Sequence, residues 1–189
     1  MICNKPLVIA IDGMAAAGKT TAALNLQQEI ANECGFVTKE EIAQKIKIIH
    51  MDDFFLPGEL RTEARLNEAG GNVHYERFKE EVAMNLQKNC EFEYRIFDCH
   101  VMDYVRSEKI DALTEVVIVE GAYSLHPYFG KYYDQSIFYE TDVKTQKERI
   151  LQRNGAKQWE MFKTRWIPME MRYFEKFGIK EMCDHIAKN

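Results

Sequence analysis

Gly13-Met14-Ala15-Ala16-Ala17-Gly18-Lys19-Thr20 is the stretch whose reading decides the fold. It satisfies G-x-x-x-x-G-K-[ST], and its flanks give the pattern a mechanism. Upstream, Leu7-Val8-Ile9-Ala10-Ile11 is a short apolar, β-branched run of the buried-strand kind. Downstream, Ala23, Leu26, Ile30 and Cys34 recur at helical spacing, and Gly35 closes the segment as a C′ residue. Strand, glycine-flanked loop and helix together aim backbone N–H groups and a helix N-terminus at a polyphosphate. Lys19 is then expected to reach the β- and γ-phosphates, and the Thr20 hydroxyl to ligate Mg²⁺. A chance match would arise in roughly one random eight-residue window in 10⁴–10⁵. The flanking strand and helix make chance rarer still, so the chain is read as binding a nucleoside triphosphate.

The 189 residues suit one domain with a full core, with 46% hydrophobic and 29% charged residues. A net charge of −5 argues against a general nucleic-acid binder, which would show a basic stripe. Positive charge must therefore be local wherever phosphate is held. No apolar run approaches the ~20 residues of a membrane span, and Met1 to Pro6 leads straight into a strand without a signal-peptide layout. A cytoplasmic protein is expected. The five cysteines (Cys3, Cys34, Cys90, Cys99, Cys183) form no C-x-x-C pair and read as free thiols. Nor do the five histidines have zinc-ligand spacing.

Beyond the first helix, Thr38 to Lys45 reads as a charged connection and Ile46 to His50 as a second strand, ending in Met51-Asp52-Asp53-Phe54-Phe55. Leu56 to Asn72, with Pro57, Gly58, Gly70 and Gly71, reads as a long mobile loop, a feature uncommon unless functional. Helical periodicity returns over Tyr75 to Leu86 through Phe78, Val82 and Leu86. Phe92 to Val105 suggests two short strands on a hairpin, and Val116 to Val119 a central parallel strand capped by Glu120-Gly121. Ser136 to Glu140 is another strand; Thr141-Asp142 starts a helix that runs from about Val143 to Asn154 and ends at Gly155. Gln158 to Trp166 and Met169 to Phe177 are helical stretches broken or kinked at Pro168, and Met182 to Ile186 is a last strand. Alternating strands and helices mean an α/β domain with a mainly parallel sheet, and ligands at the carboxyl ends of its strands.

The chemistry-bearing residues fall at those ends. Asp52 and Asp53 close the second strand on the rim of the phosphate loop; one could take the proton of an attacking hydroxyl while its neighbour serves Mg²⁺. Glu120 follows a β-branched run, the placement of a second metal-side carboxylate, so the metal set is Thr20, Asp53 and Glu120. Arg149 and Arg153 lie one helical turn apart and could clamp the transferring phosphoryl group, in competition with a plain solvated face. Phe55, His74, Tyr75, Asp98, His100 and Tyr123 are candidate acceptor contacts. Trp159, Phe162, Trp166, Tyr173, Phe174 and Phe177 recur at helical spacing and read as core packing.

Taken together, Ile11-Asp12-Gly13, Gly18-Lys19-Thr20-Thr21, Met51-Asp52-Asp53-Phe54-Phe55, Val119-Glu120-Gly121 and Arg149-Ile150-x-x-Arg153 resemble the uridine kinase family of P-loop kinases. Nicotinamide riboside kinases, phosphoribulokinases and bacterial pantothenate kinases lie in the same group. The resemblance spans about Leu7 to Gly155 and implies a mainly parallel five-stranded α/β sheet with helices on both faces, of the nucleoside-monophosphate-kinase kind, its first strand central. The whole of 1–189 would form one kinase domain, with an acceptor-site insertion at about 56–110 and a lid at about 149–165. ATP, or GTP, would be the donor, with Mg²⁺. Gly13, Ala16, Ala17, Gly18, Lys19, Thr20, Thr21, Arg149 and Arg153 would hold the nucleotide, and Asp52, Lys19 and Arg153 would carry the catalysis. The implied reaction phosphorylates a nucleoside 5′-hydroxyl, with no nucleic-acid or membrane partner and with homo-oligomerisation left open. Departures concern the acceptor: Phe97-Asp98-Cys99-His100 has Cys where the family has Phe, and Asn72-Val73-His74-Tyr75 stands where an acid for the ribose is expected. Another metabolite acceptor, such as nicotinamide riboside or pantothenate, and a regulatory ATPase are the alternatives.

Overall fold

The computed structural model describes residues 5–88 and 90–188, so Cys3 lies outside the described residues. In chain order the elements begin with β1 (Leu7–Gly13), α1 (Lys19–Cys34), α2 (Lys39–Lys45) and β2 (Ile46–His50). The acceptor-side segment carries α3 (Glu63–Asn67), then α4 (Tyr75–Phe78) joined by a π-turn at Lys79–Ala83 to α5 (Met84–Lys88), then β3 (Phe92–Asp98) and β4 (Asp103–Ile110). The chain closes with β5 (Val116–Glu120), β6 (Gln135–Glu140), α6 (Val143–Met161), α7 (Ile167–Phe177), α8 (Ile179–Met182) and β7 (His185–Lys188).

Five strands form one sheet in the order β2-β5-β1-β6-β7, with every pairing parallel, so the first strand is central. β3 and β4 make a separate antiparallel hairpin. Strand alternation divides β1 between two cores: Val8 and Ala10 pack on one face, Ile9 and Ile11 on the other. α1 covers the second face through Ala23 and Ala31. The first face is covered by the helix around Phe78, Val82 and Leu86 and by Tyr173 and Phe174 of α7. Because β1 and β5 are buried on both faces, both read as unbroken apolar runs in the sequence.

Several expectations change. Thr38 to Lys45 is not a connection: Thr38 caps α2 by accepting the Glu41 N–H, and the Glu41 side chain reaches back to the Val37 N–H, one residue before the cap. Leu56 to Asn72 is not one long loop either. It holds a 3₁₀ turn at Gly58–Leu60 and the short α3, which Thr62 caps by accepting the Arg65 N–H. The β3–β4 hairpin reaches Ile110, beyond the expected Val105. Gly155, at φ +79° and ψ 172°, is not helical and ends the first segment of α6 as expected, but a second helical segment follows across the kink to Met161. Regular α-helix is interrupted just before Pro168, by a π-turn at Phe162–Trp166, and Pro168 stands in the first turn of α7 beyond it, so the expected break lies there. Tyr173 and Phe174 are core residues as expected, but Trp159, Phe162, Trp166 and Phe177 are only partly buried. The last strand begins later than Met182, at His185.

Candidate active site

The carboxyl ends of β1, β2 and β5 meet on one rim. Gly13 leaves β1 at φ +135°, and a Cβ there would lie 2.1 Å from the Tyr139 carbonyl oxygen, so only glycine passes that turn. The loop that follows is held from outside by four groups. Met14 N–H donates to Tyr139 O at 3.0 Å, and Ala15 N–H to the Glu170 carboxylate at 2.9 Å. Gln146 donates its side-chain amide to Ala15 O at 3.0 Å, and Arg149 its guanidinium to Ala16 O at 3.1 Å. At the start of α1, Gly18 is left-handed, no side chain caps the helix, and no acid stands in the first turn. An α-helix start leaves its first N–H groups without intrahelical acceptors. That uncapped, positive end is suited to phosphate. The Lys19 ammonium donates to Gly13 O and Met14 O, at 2.8 Å each, and so lies over the loop it would serve.

On the opposite side of the loop, the Thr20 hydroxyl donates to Glu120 Oε1 at 3.0 Å. Glu120 is buried, and His50 Nδ1 lies 2.6 Å from the same oxygen. That hydrogen bond raises the His50 pKa against the opposing effect of burial. Thr20 and Glu120 are hard oxygen donors of the kind Mg²⁺ takes together with phosphate and water, so they fit that ion. Asp53, the third expected metal group, is partly buried, and Arg77 holds its backbone carbonyl rather than its carboxylate. Loss of hydration lifts Asp53 to about 6. Asp52 opens to solvent in the concave rim, yet protein crowds it on its other sides. That loss of hydration, and then the charge of Glu120, raises its pKa, while Lys19, His50 and Arg153 pull it down. Arg153 is thus within electrostatic reach of Asp52, although its Nε donates to Asn154 at 2.7 Å and its side chain is exposed.

Asp12 was legible only as part of the loop's flank, yet it organises the centre. Fully buried, it accepts N–H bonds from Gly13, Tyr123 and Leu125 and the Tyr173 hydroxyl, at 2.7, 3.1, 3.0 and 2.8 Å. Burial pushes its pKa up, opposed by the bonds from Leu125, Tyr173 and Gly13. Four donors call for the ionised carboxylate, which can only accept. Tyr123, expected at the acceptor, is instead a core residue, 3% exposed with its ring against Tyr173. Tyr75 is also engaged by packing: Arg65 lies 3.6 Å from its ring, His126 stacks at 4.8 Å, and its hydroxyl donates to Glu68. His126 itself is buried, and burial lowers it to about 4. Asp98 accepts the His100 N–H and serves the hairpin turn, with His100 exposed at the tip. Phe55 is partly buried and bridges to Val73. His74 is partly buried, and its Nδ1 is buried with no hydrogen-bond partner among the described residues.

Sequence reading missed Glu170, Gln146, His50 and His126. The first two reach the loop across 155 and 131 residues, and no local pattern encodes that. His50 did carry a signal, since it directly precedes the Met51-Asp52-Asp53 stretch at the end of β2.

No family profile and no curated protein matches the sequence. Solved structures do match in fold. A protein described as a possible uridine kinase from Bacillus stearothermophilus superposes with a TM-score of 0.70 at 17% identity, over 97% of this chain and 89% of that one. A candidate fructose transport system kinase from Silicibacter gives 0.73 at 16% identity, covering 97% and 90%. YFH7 from Saccharomyces cerevisiae, a candidate P-loop kinase with a circular permutation, gives 0.64 at 13%, covering 98% and 93%. The chain therefore has the α/β fold of P-loop kinases.

Proposed function

We propose that this chain is an ATP- and Mg²⁺-dependent kinase that phosphorylates a hydroxyl of a small metabolite. The observation that carries the reading is the convergence of three parts on one rim: the uncapped phosphate loop with Lys19, the Thr20–Glu120 pair, and Asp52 beside them. A nucleotide-binding protein needs the first two; the third gives the site a base for a nucleophile, a hydroxyl in a kinase or water in an ATPase, which acceptor dependence tells apart.

In this reading the backbone N–H groups of the loop and Lys19 hold the β- and γ-phosphates, and Thr20 and Glu120 hold Mg²⁺, which supplies charge neutralisation. Asp52 accepts the proton of the acceptor hydroxyl as the acceptor O–P bond forms and the bond from the γ-phosphorus to the departing ADP oxygen breaks. Its raised pKa makes its ionised form a better base than an ordinary aspartate, and Lys19, His50 and Arg153 oppose that rise. Arg149 braces the loop through Ala16, while Arg153, on a lid segment hinged at Gly155, would answer charge on the transferring group. The fold likeness to a possible uridine kinase supports a nucleoside-like hydroxyl as the reacting group. His74 and His100, the latter exposed at the hairpin tip, are the acceptor contacts that this reading assigns to the 56–110 insertion.

The test is ADP release with Mg·ATP against a panel of uridine, cytidine, nicotinamide riboside, pantothenate and sugar phosphates. ADP that depends on one acceptor supports the kinase. ADP released equally with and without every acceptor overturns it in favour of a regulatory ATPase.

A further inference from the structure

Between the 3₁₀ turn with α3 on one side and the start of α7 on the other lies a cleft of about 450 Å³. Three arginines line it, Arg61, Arg165 and Arg172, against a single carboxylate, Glu63. Its size is that of a site for a small metabolite. Among the described residues, none of the three arginines belongs to an ion pair. Acids are not scarce: Asp and Glu number 30 against 25 Lys and Arg. The arginines are instead fixed by neutral groups. Arg61 donates to the Asn72 side chain at 2.9 Å and Arg172 to Asn67 O at 2.9 Å. Arg61 and Arg165 both lie over the Trp166 ring, at 5.7 and 4.7 Å. Burial, and then the charge of Arg165, lowers the Arg61 pKa. Stacking on an aromatic face orients a guanidinium and leaves its donor edge open, the geometry that meets a carboxylate or phosphate with two bonds.

The cleft adjoins the rim already described. Met102 of the β3–β4 turn lies 3.7 Å from where a Cβ on Gly58 would stand, and Cys99 of the same turn feels the charge of both Asp52 and Arg61, so that turn neighbours both the base and the cleft. Met169 lines the cleft, and the next residue of α7, Glu170, holds Ala15 of the phosphate loop. A molecule with its hydroxyl at Asp52 has this cleft beside it.

We propose that Arg61, Arg165 and Arg172 bind an anionic group, a carboxylate or a phosphate, carried by the acceptor whose hydroxyl faces Asp52. The inference rests on the kinase reading for the word acceptor, but the anion site itself does not. Two experiments separate them.

In the first, Trp166 is the probe, with Trp159→Phe removing the other of the two tryptophans. Inorganic phosphate and acetate are titrated at constant ionic strength. The expected result is a saturable change in Trp166 emission with at least one of them, lost in Arg61→Gln and Arg165→Gln but kept in Lys19→Ala. The stronger of the two anions names the source, a phosphorylated or a carboxylated acceptor. No saturable change with either, or a change that survives the arginine substitutions, overturns the site.

In the second, steady-state ADP formation is measured with matched acceptors: ribose and ribose 5-phosphate, pantothenol and pantothenate, uridine and its carboxylated analogue. The anionic member should be preferred, and each Arg→Gln substitution should raise its KM about 10–100-fold while leaving KM for ATP unchanged. A neutral acceptor preferred by wild type and handled equally well by the arginine variants overturns the anionic acceptor and leaves the kinase standing. ADP release indifferent to every acceptor overturns the kinase, and the tryptophan titration still decides the anion site.

Discussion

Glu170→Gln tests whether the buried carboxylate behind the phosphate loop carries the cost that its surroundings impose. Glu170 is 8% exposed, accepts the Ala15 N–H at 2.9 Å, and is lifted by burial from 4.5 to about 7. A group whose folded pKa lies above its unfolded value favours folding most while it is protonated. Its contribution is therefore whole below about 4.5 and is lost as pH rises through about 7. A shift of this size makes wild type lose about 2–3 kcal/mol between pH 5 and pH 8 from this group alone. Glutamine keeps the shape and the acceptor oxygen for Ala15 but cannot ionise. The assay is urea unfolding of both proteins at pH 5, 6.5 and 8, compared at equal m-value. The variant should gain on wild type steadily with pH, by about 2–3 kcal/mol over that range. Parallel stability curves would show that Glu170 ionises without penalty, and would refute the reasoning that ties α7 to the loop through a desolvated carboxylate.

Lys19→Ala should weaken ATP binding and abolish transfer, read by nucleotide titration and ADP release; wild-type values for both would remove the phosphate-loop reading. Arg153→Ala should lower kcat more than it weakens ATP binding, because a lid arginine acts on transition-state charge; an unchanged kcat returns Arg153 to a solvated face. Tyr173→Phe removes one of four donors to Asp12 and should cost about 1.5–3 kcal/mol. The melting temperature should then fall by roughly 4–10 °C, and no fall would mean that Asp12 is satisfied by its N–H donors alone.

The parts of this fold legible in the sequence are those whose physics is local. β1 and β5 announce themselves because burial on both faces demands unbroken apolar runs, and Gly35 announces the end of α1 because a left-handed residue closes the helix. Asp52 and Glu120 were legible because each sits at a strand end, and parallel strands bring those ends to one rim; Thr20 was legible from the Gly18-Lys19-Thr20 pattern itself. α2 escaped although its N-cap, Thr38, was present, because the helix is short and buries no residue. α3 escaped because Pro57 and three glycines around it suggest a loop. What no pattern carries is the bracing of the phosphate loop by Gln146, Arg149 and Glu170, or the four donors gathered on Asp12. Those arise only when α6 and α7 fold back on β1, contacts set by packing rather than by periodicity. The packing of Tyr75 and Tyr123 was illegible for the same reason: their rings are engaged by Arg65, His126 and Tyr173, residues distant in sequence.

The central claim is that Asp52 takes a proton from an acceptor hydroxyl at this rim. Asp52→Asn keeps size and hydrogen-bonding shape but cannot accept a proton at neutral pH. The direct measurement is acceptor-dependent ADP formation by wild type and Asp52→Asn across a Mg²⁺ titration. A rate lower by roughly 10²–10⁴-fold at every Mg²⁺ concentration, with ATP affinity retained, is what the account predicts. The low end of that range fits a largely dissociative transfer. Recovery on raising Mg²⁺ would assign Asp52 to the metal instead, and equal rates in the two proteins would contradict the claim outright.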